Sequence, residues 1–479
     1  MLPFLAALAI QAPAAAPAES ERWTTTELEA VSREIQGQVE ELRGLEFRAP
    51  VAVKLTDKKG FLDYALQRQK ETESPAKMTR DETVGKLLGL MPPAMDLQAQ
   101  MLELLQEQVG GFYDPTSKTF YLMDTFKGGL ARIILAHELT HALDDQYFDI
   151  DGGMRKCGDE TDAMLAYQSV VEGSGQRAMT QWTYAHMGSL SKDDLDQAAK
   201  MGAKQLAAAP PYLWKPLMAA YMKGDGFLSK GQAVLRNAAR NAAGDAPAKD
   251  AYVRAAFQDP PASSEQILHP DKYWSSHPRD LPVRVRLSTD SLPQGWTLLG
   301  TDTLGELYLG LMTTPLADRK GLDTSDMMGM LAIKYTNVAA EGWGGDRLAL
   351  IGRGEDRVLV LVTVWDTDKD ADEFVAALAG GKSSDKDGDK AGAKDGDKSQ
   401  ALADGAAPVV IPLWTSKERS RENGFVPSFT PTAATVTRST VAGESSVVVV
   451  RVGSFANPTA PENRLDTFQL PYTIERPAK

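Results

Sequence analysis

The segment His137-Glu138-Leu139-Thr140-His141 lies within an apolar stretch with helical spacing, Gly128 to Tyr147. Residues four positions apart share one face of a helix, so both imidazoles can reach a single metal ion. Glu138 lies next to His137, where its carboxylate can reach a zinc-bound water rather than the zinc itself. Zinc lowers the pKa of that water to about 7, and a nearby carboxylate can then accept its proton. The segment therefore predicts a zinc site, with accidental occurrence of the motif as the alternative.

A third protein ligand has to come from elsewhere, and the candidates weighed downstream of the histidine helix are Asp159, Glu160, Asp162 and Glu172. Asp159 and Glu160 belong to a polar loop or to the start of the next predicted helix, Thr161 to His186, where acidic residues offset the helix dipole. Glu172 instead interrupts an apolar run in mid-helix, where an unpaired carboxylate facing the core would be costly. The small residues Gly173-Ser174-Gly175 follow it and would allow close approach to the histidine helix. Glu172 is therefore the favoured third ligand, and a solvent-facing Glu172 is the alternative.

Two short aromatic runs flank Asp114-Pro115-Thr116-Ser117 and predict a β-hairpin before the histidine helix. This hairpin, the histidine helix and Val171-Glu172-Gly173 on the next helix resemble the gluzincin branch of the zincin metallopeptidases. More narrowly, HELTHALDDQ at His137 to Gln146 resembles an uncharacterised bacterial family of predicted zincins. The resemblance covers Pro50 to Leu190. It implies zinc-dependent hydrolysis of peptide bonds, with Glu138 as general base and three zinc ligands: His137, His141 and Glu172.

Two later segments, Pro260 to Pro270 and Gly342 to Asp346, also resemble parts of that narrower family. The chain departs from thermolysin-like gluzincins at Gln176, where those enzymes place an Asp that orients a histidine ligand. A different partner is therefore expected for the free N–H groups of the histidines, since ligating histidines usually donate them to a carboxylate or carbonyl. The candidates are Asp144, Asp145 and Asp162. For the first two, solvated charges near a helix end are the alternative.

A hydrogen-bond donor is expected beside the metal, where a tetrahedral intermediate develops negative charge, and zincins often use Tyr or His there. His186, His269 and Tyr273 are the candidates, and for each the alternative is a surface or core-edge residue. Cys157 is the single cysteine, so any metal has to be held by His and carboxylate. Its thiol is expected to be idle rather than a ligand.

The chain has 479 residues, a hydrophobic fraction of 43% and a formal net charge of −13. The length predicts two or three domains, and the negative charge argues against a nucleic-acid partner. The apolar run Leu2 to Ile10, followed by Ala16-Pro17-Ala18, is typical of a secretory signal peptide at residues 1–18. The mature protein is then expected to begin near Glu19 and to act outside the cytoplasm, either periplasmic or secreted. No stretch is long and apolar enough to predict a membrane span.

The predicted fold class is α+β, with a zincin-like metallopeptidase domain at 19–295 and a smaller α+β domain at 300–479. The first domain combines a small sheet and its hairpin with the histidine helix and a mostly helical second half. The pattern further predicts helices at Thr25 to Leu42, Lys58 to Lys70, Leu304 to Met312 and Ala371 to Ala379, and strands at Pro50 to Leu55, Arg347 to Ile351, Val358 to Trp365, Val409 to Leu413 and Ser446 to Val452. The Lys/Asp/Gly-rich insertion 381–400 is predicted to be disordered, as a loop within the second domain or a linker to a separate tail.

The leading functional hypothesis is hydrolysis of a peptide or protein substrate that pairs with an exposed sheet edge at Thr119 to Leu122. The runner-up is a zincin fold that binds metal without catalysis and serves as a binding or scaffold protein. Glu138 favours the enzyme because a structural site needs no general base, and three protein ligands leave a position open for water. A third hypothesis, an acidic adhesion protein with an accidental motif, predicts no stoichiometric metal. The sequence leaves open whether residues before Pro50 form a removable inhibitory segment.

Overall fold

The computed structural model describes residues 23–72, 74–108, 110–192, 194, 203–242, 244–275, 278–315, 318–319, 321–323, 329–330, 332–379, 409–410, 433–440 and 446–477. The predicted signal peptide at 1–18 and the polar insertion at 381–400 lie outside these ranges, so both stay predictions. Within the ranges, no helix combines the length and the apolar character needed to cross a membrane.

Helices and strands are both abundant, which confirms the predicted α+β class. The helices are α1 (Thr25–Arg43), α2 (Lys58–Thr72), α3 (Pro75–Leu87), α4 (Leu97–Gln108), α5 (Gly128–Phe148), α6 (Ile150–Lys156), α7 (Thr161–Ala185), α8 (Ala203–Ala208), α9 (Pro211–Asn241), α10 (Ala251–Gln258), α11 (Ser264–Leu268), α12 (Asp271–Trp274), α13 (Gly305–Thr313) and α14 (Asp368–Leu378). The strands are β1 (Ala52–Thr56), β2 (Gly111–Asp114), β3 (Thr119–Met123), β4 (Arg284–Leu287), β5 (Thr297–Asp302), β6 (Trp343–Arg353), β7 (Asp356–Trp365), β8 (Val409–Val410), β9 (Ala433–Thr440), β10 (Ser446–Ser454) and β11 (Tyr472–Glu475).

The first sheet has three described strands in the order β1-β3-β2, and it packs beside α5. β2 and β3 form the predicted hairpin, with Asp114 opposite Thr119 and Lys118 in a left-handed conformation at the turn. β1 runs parallel to the other side of β3, with Ala52 opposite Thr119. β3 is therefore the central strand, and the prediction of an exposed edge at Thr119 to Leu122 is wrong. The outer strands of this sheet are β1 and β2.

The helix α1 packs against α5 and the first sheet through a shared apolar core. Its buried residues recur at helical spacing, at Leu28, Ile35 and Val39. A capping box formed by Thr24 and Glu27 begins the helix. Gly44, with a φ of 67°, ends it in the left-handed conformation that glycine adopts readily. The chain is thereby turned immediately after Arg43, the last helical residue.

The helices α7 and α9 cross at two glycines, which lets their backbones touch. A side chain on Gly224 would overlap the carbonyl oxygen of Ser169, and one on Gly173 would overlap the backbone of Gly224. A glycine in mid-helix costs about 1 kcal/mol relative to alanine, so the close crossing has to offset that cost. The crossing brings Tyr221 of α9 toward α5.

The C-terminal sheet has six described strands in the order β5-β6-β7-β10-β9-β8, all paired antiparallel. The strands β6, β7 and β10 are long and buried on both faces, as their near-continuous apolar runs require. One face packs on Leu309 of α13 and Phe374 of α14, and the other on Trp296 and Phe468. Strands on both sides of the 381–400 insertion lie in this sheet, which is the arrangement expected for a loop within the domain.

The two predicted domains pack against each other. One apolar cluster contains Leu165 and Ala220 from the first and Leu307 and Trp343 from the second. The strand β4 precedes the predicted boundary at 295, yet it pairs with β11. The division between residues 295 and 300 stays a prediction, but the shared core means that the C-terminal part is not loosely tethered.

Candidate metal centre

The helix α5 holds its histidines in the protein interior, surrounded by fully buried residues that include Leu135, Ala136, Leu139 and Ala142. Lys127, at the N-cap position, makes no capping hydrogen bond through its side chain. Asp194 supplies one instead, because its Oδ1 accepts a hydrogen bond from the backbone N–H of Leu130 at 3.1 Å. The start of the histidine helix is thus held by a segment that follows α7.

The helix α7 holds Glu172 against the two histidines, and a glycine makes this contact close. A Cβ atom on Gly175 would lie 2.7 Å from Cε1 of His137 and 2.8 Å from Cε1 of His141. Any larger residue at this position would push the helices apart. Ser174 and Gly175 therefore lie where α7 approaches α5, as the sequence predicts, whereas Gly173 lies at the crossing of α7 with α9.

Three side-chain atoms converge between these helices. The Nε2 atoms of His137 and His141 are 2.9 Å apart. The Oε2 atom of Glu172 lies 3.4 Å from the former and 3.7 Å from the latter. Ligand atoms about 2.0 to 2.1 Å from a tetrahedral zinc ion are separated by about 3.3 Å. The three separations fit such an ion.

The electrostatics of the site also suit a cation. His137 and Glu172 are 0% and 1% exposed, and the Oε2 atom of Glu172 has no hydrogen-bond partner among the described residues. Burial, assisted by His141, lowers the pKa of His137. Burial alone would lower the pKa of His141, but the carboxylates of Glu172, Glu138 and Asp144 raise it to about 9. Burial would likewise raise the pKa of Glu172, but the two histidines lower it.

Glu138 lies beside this group and contacts the edge of the first sheet. Its Oε2 atom accepts a hydrogen bond from the backbone N–H of Tyr113 at 2.9 Å, while Oε1 has no partner within the described ranges. Burial, with a smaller contribution from the charge of Glu172, raises the pKa of Glu138 to about 8 against the opposing effects of His141 and the backbone N–H of Tyr113. A carboxyl group with such a pKa can exchange protons near neutral pH.

Tyr221 is a neighbour of this group that no sequence pattern predicts. Its ring centroid lies 5.8 Å from that of His137, and its buried hydroxyl interacts with the carboxylate of Glu172, although the described residues offer it no hydrogen bond of regular geometry. Burial and the charges of Glu172 and Glu138 raise the pKa of Tyr221 well above its usual value, so the phenol stays protonated and can donate. No motif surrounds Tyr221 in the sequence, and only the crossing of α9 over α7 brings it here.

The other acidic candidates for the third ligand lie at the start of α7, toward the C-terminal sheet. Glu160 forms an ion pair with Arg347 at 2.6 Å. The Oδ1 atom of Asp162 accepts a hydrogen bond from the backbone N–H of Ser264 at 2.9 Å. Asp159 directly precedes Glu160. None of the three belongs to the buried group formed by the histidines and Glu172.

Asp144 and Asp145 are 0% and 4% exposed, so the interpretation of these residues as solvated charges is wrong. The expectation that they orient the histidines is also wrong, because the Nδ1 atoms of both histidines have no hydrogen-bond partner among the described residues. The same finding excludes Asp162 from this role. Asp145 instead accepts a hydrogen bond from the hydroxyl of Tyr113 at 2.8 Å. Asp144 contacts α1 and α7.

The residues expected to stabilise the oxyanion are engaged elsewhere. His186 stacks on Trp182. The Nε2 atom of His269 lies 2.9 Å from Oε1 of Glu306. The Tyr273 hydroxyl donates to a backbone carbonyl at 2.6 Å. These contacts agree with the simpler interpretation, in which all three are surface or core-edge residues.

A second cluster of acids, Glu265, Asp280 and Asp366, already contains a cationic side chain. The Nζ atom of Lys272 lies 2.6, 2.9 and 3.4 Å from these three carboxylates respectively. Burial raises the pKa of Cys157 to about 11, so its thiol stays protonated. Among the described residues, neither feature competes with the histidine group as a metal site.

The two segments that resemble the narrower zincin family, Pro260 to Pro270 and Gly342 to Asp346, meet near the start of α13. The carboxylate of Asp346 accepts hydrogen bonds from the backbone N–H groups of Leu304 at 2.9 Å and Gly305 at 2.8 Å. His269, in the first segment, contacts α13 through Glu306. Both segments therefore connect the first predicted domain, 19–295 (the histidine domain), to the C-terminal sheet rather than line the candidate metal centre.

Comparison with known proteins gives one partial match. A family model described as a domain of unknown function, DUF8575, matches residues 296–408. No curated protein and no solved structure matches the chain. The matched range includes the junction segment Gly342 to Asp346 but none of the candidate ligands. The chain is thus similar to that domain over part of its C-terminal region, and the chemistry of His137, His141 and Glu172 rests on their geometry.

Proposed function

We propose that the protein is a zinc-dependent metallopeptidase of the zincin type that acts on peptide or protein substrates outside the cytoplasm. The observation that carries this proposal is the convergence of three side-chain atoms, from His137, His141 and Glu172, at separations of 2.9, 3.4 and 3.7 Å. Two imidazoles and one carboxylate are one of the ligand sets found in catalytic zinc sites. Three protein ligands leave the fourth coordination position open for water or substrate. Export is supported by the leader-like residues 1–18.

Zinc bound by these residues would supply a Lewis acid that polarises the scissile carbonyl and makes water more acidic. Glu138 accepts the proton of the attacking water and delivers it to the leaving amine. The hydroxyl of Tyr221 donates a hydrogen bond to the oxyanion that develops on the substrate. Both side chains are buried, where the low dielectric strengthens their interactions with developing charge.

An extended substrate would pair with β2, the outer strand of the first sheet on the side of α5. Backbone groups at a sheet edge bind an added strand through main-chain hydrogen bonds. The backbone N–H of Tyr113 in this strand contacts Glu138. A peptide bound along β2 would therefore pass directly beside the proposed general base.

A second candidate function, metal binding without catalysis, is favoured by the depth of the site. His137 is 0% exposed, and Glu138, Glu172 and His141 are 1%, 1% and 6% exposed. A structural metal needs no access for substrate, whereas a peptidase has to admit a peptide. Glu138 argues for the peptidase. A structural metal site needs no general base, and a buried carboxylate without a function would only cost stability.

Metal content and turnover together separate these functions. The peptidase is expected to contain one zinc per chain by elemental analysis and to cleave an unstructured protein in a chelator-sensitive manner. Stoichiometric zinc without turnover would support the non-catalytic function. Absence of stoichiometric metal would overturn both.

Glu138→Gln tests the general base. The amide keeps the size of the side chain but cannot accept a proton, so zinc should stay bound while hydrolysis is abolished. Glu29→Gln, the same change at an exposed position on α1, serves as the control and should leave activity unchanged. Cleavage by the Glu138→Gln protein at the parent rate would exclude Glu138 as the base.

A further inference from the structure

Three buried side chains from different helices meet beside the candidate ligands. Arg43 is the last residue of α1, and its Nη2 atom lies 2.7 Å from Oδ1 of Asp144 on α5. Its Nη1 atom donates to Oγ of Ser174 on α7 at 3.0 Å. The Ser174 hydroxyl in turn donates to Oδ2 of Asp144 at 2.5 Å. These contacts close a ring between the three helices, which we call the Arg43 clamp.

The clamp lies at the level of the candidate ligands on both helices. Asp144 follows His141 by about one helical turn. Ser174 lies between Glu172 and Gly175, the glycine that contacts the imidazoles. Sliding or separation of α7 relative to α5 would break the bond between Ser174 and Asp144 and would also move Glu172 away from the histidines.

The clamp is shielded from water, so its charges have to be compensated within the protein. Asp144 is 0% exposed and Arg43 is 4% exposed. Burial would lower the pKa of Arg43, but the carboxylate of Asp144, with smaller contributions from Tyr252 and Asp250, keeps the guanidinium charged. Asp250 itself pairs with Arg254 at 2.7 Å. Arg43 is therefore the cation that balances Asp144, and its removal would leave a buried carboxylate without its partner.

We propose that Arg43 is a positioning residue of the metal centre, which acts through Asp144 and Ser174 to fix the separation of α5 and α7. This inference rests on the proposed metal site, because its effect is on the geometry of the three candidate ligands. It also makes α1 a part of the working protein rather than a removable inhibitory segment. Removal of α1 would take Arg43 out of the space between the two ligand-bearing helices.

Zinc affinity of the full-length protein, measured by competition with a chromogenic chelator, tests the clamp. Arg43→Met keeps an unbranched side chain but removes both contacts, so zinc affinity should fall by about 10- to 100-fold. The absorption spectrum of the Co²⁺-substituted variant should change as well, because the ligand geometry changes. Arg43→Lys retains a charge beside Asp144 and should recover most of the affinity.

Arg132→Met is the matched control, because Arg132 joins the same two helices, α5 and α1, through an ion pair with Glu34 at 2.8 Å outside the clamp. This variant should bind zinc as tightly as the parent. A parent protein that binds no zinc would overturn the proposed function and this inference with it. A parent that binds zinc, together with an Arg43→Met protein of equal affinity, would overturn the inference alone.

A double variant separates positioning from simple charge balance. Arg43→Met combined with Asp144→Leu removes both buried charges, so the melting temperature of the metal-free protein should recover toward that of the parent. Zinc affinity should remain weak, since no group then connects α1 and α5 to Ser174. Recovery of zinc affinity together with stability would show that Arg43 only balances the charge of Asp144, and would overturn the positioning role.

Discussion

Among the four candidates for the third ligand, Asp159, Glu160, Asp162 and Glu172, only Glu172 contacts the imidazoles. Glu172→Ala removes the one carboxylate of the proposed ligand set, so zinc affinity should fall by orders of magnitude in a chelator competition. Glu160→Ala removes only the partner of Arg347 and should leave zinc binding unchanged, as should Asp162→Ala. A Glu172→Ala protein that keeps one tightly held zinc would return the choice of ligand to the acids at the start of α7.

Tyr221 can be tested without disturbing the ligands. Tyr221→Phe removes only the hydroxyl, so zinc content and KM should stay near the parent values while kcat falls by about 10²- to 10³-fold. Tyr335→Phe is the matched control, because Tyr335 is also buried and its hydroxyl has no hydrogen-bond partner among the described residues. Unchanged kcat in Tyr221→Phe would leave the phenol with a packing role alone.

At the residue scale, local spacing predicted some members of the candidate site and could not predict others. His137, His141 and Glu138 follow from helical periodicity, and Glu172 from the cost of a carboxylate in an apolar run. Tyr221 and Arg43 carry no such local signal. The hydrogen bond from Arg43 to Ser174, for example, joins residues 131 positions apart. Such contacts depend on how whole helices pack.

At the element scale, both helices that carry the candidate ligands begin with a cap from a distant segment. Asp194 caps α5. Glu160, at the N-cap of α7, makes no capping hydrogen bond through its side chain. Asp302 of β5 caps the helix instead. Its carboxylate accepts hydrogen bonds from the backbone N–H of Thr161 at 2.8 Å and from the Thr161 hydroxyl at 2.6 Å. The C-terminal sheet therefore completes the helix that carries Glu172.

Asp302→Ala removes this cap and should lower the free energy of unfolding by about 1 to 2 kcal/mol, measured by urea denaturation. Asp302→Asn keeps an acceptor oxygen and should lose less. Arg80 also contacts Asp302, but it keeps its ion pair with Asp81 in both variants and so is not left unpaired. Zinc affinity should stay unchanged, because Glu172 lies about three turns from the start of α7. Equal stability of the alanine variant and the parent would show that Asp302 is dispensable as a cap.

Helix bounds were well predicted because caps and periodicity are local, whereas the pairing of strands distant in sequence was not. The predicted helix Gly128 to Tyr147 corresponds to Gly128–Phe148, and Thr25 to Leu42 corresponds to Thr25–Arg43. The hairpin was also correct, since its turn residues are contiguous. The prediction that β3 forms an edge failed because its second partner, β1, lies more than 60 residues upstream (Ala52 opposite Thr119).

At the scale of the whole molecule, buried acids lie where the histidine domain meets the C-terminal sheet. Asp162, at the start of α7, is 2% exposed, and a side chain on Gly305 of α13 would overlap its carboxylate. Asp346 of β6 is 3% exposed and caps the start of α13. Ionisation of these groups inside a shared core is costly. The stability of this junction between the histidine domain and the C-terminal sheet should therefore depend on pH.

Asp162→Asn tests this link. Burial raises the pKa of Asp162 to about 7, with Asp346 and Glu306 adding to the effect and hydrogen bonds from Ser264 opposing it. The pKa of Asp162 in the folded protein exceeds its value of about 3.9 in the unfolded chain. The protonated carboxyl therefore stabilises the folded state fully below about pH 4, and this stabilisation is lost as the pH rises through about 7. Asparagine stays neutral, so the variant should gain up to about 4 kcal/mol relative to the parent between about pH 4 and 8.

Urea unfolding of both proteins across this pH range measures the difference, because the other titrating groups are common to the two and cancel. The hydrogen bond from the backbone N–H of Ser264 can be retained by the asparagine oxygen, so the comparison isolates the charge. Asp245→Asn, at an exposed position, should follow the parent at every pH. If the free energy of unfolding of Asp162→Asn also matched that of the parent at every pH, the Asp162 carboxyl would have to ionise as readily in the folded protein as in the unfolded chain. Asp162 would then contribute no pH-dependent stability to the junction.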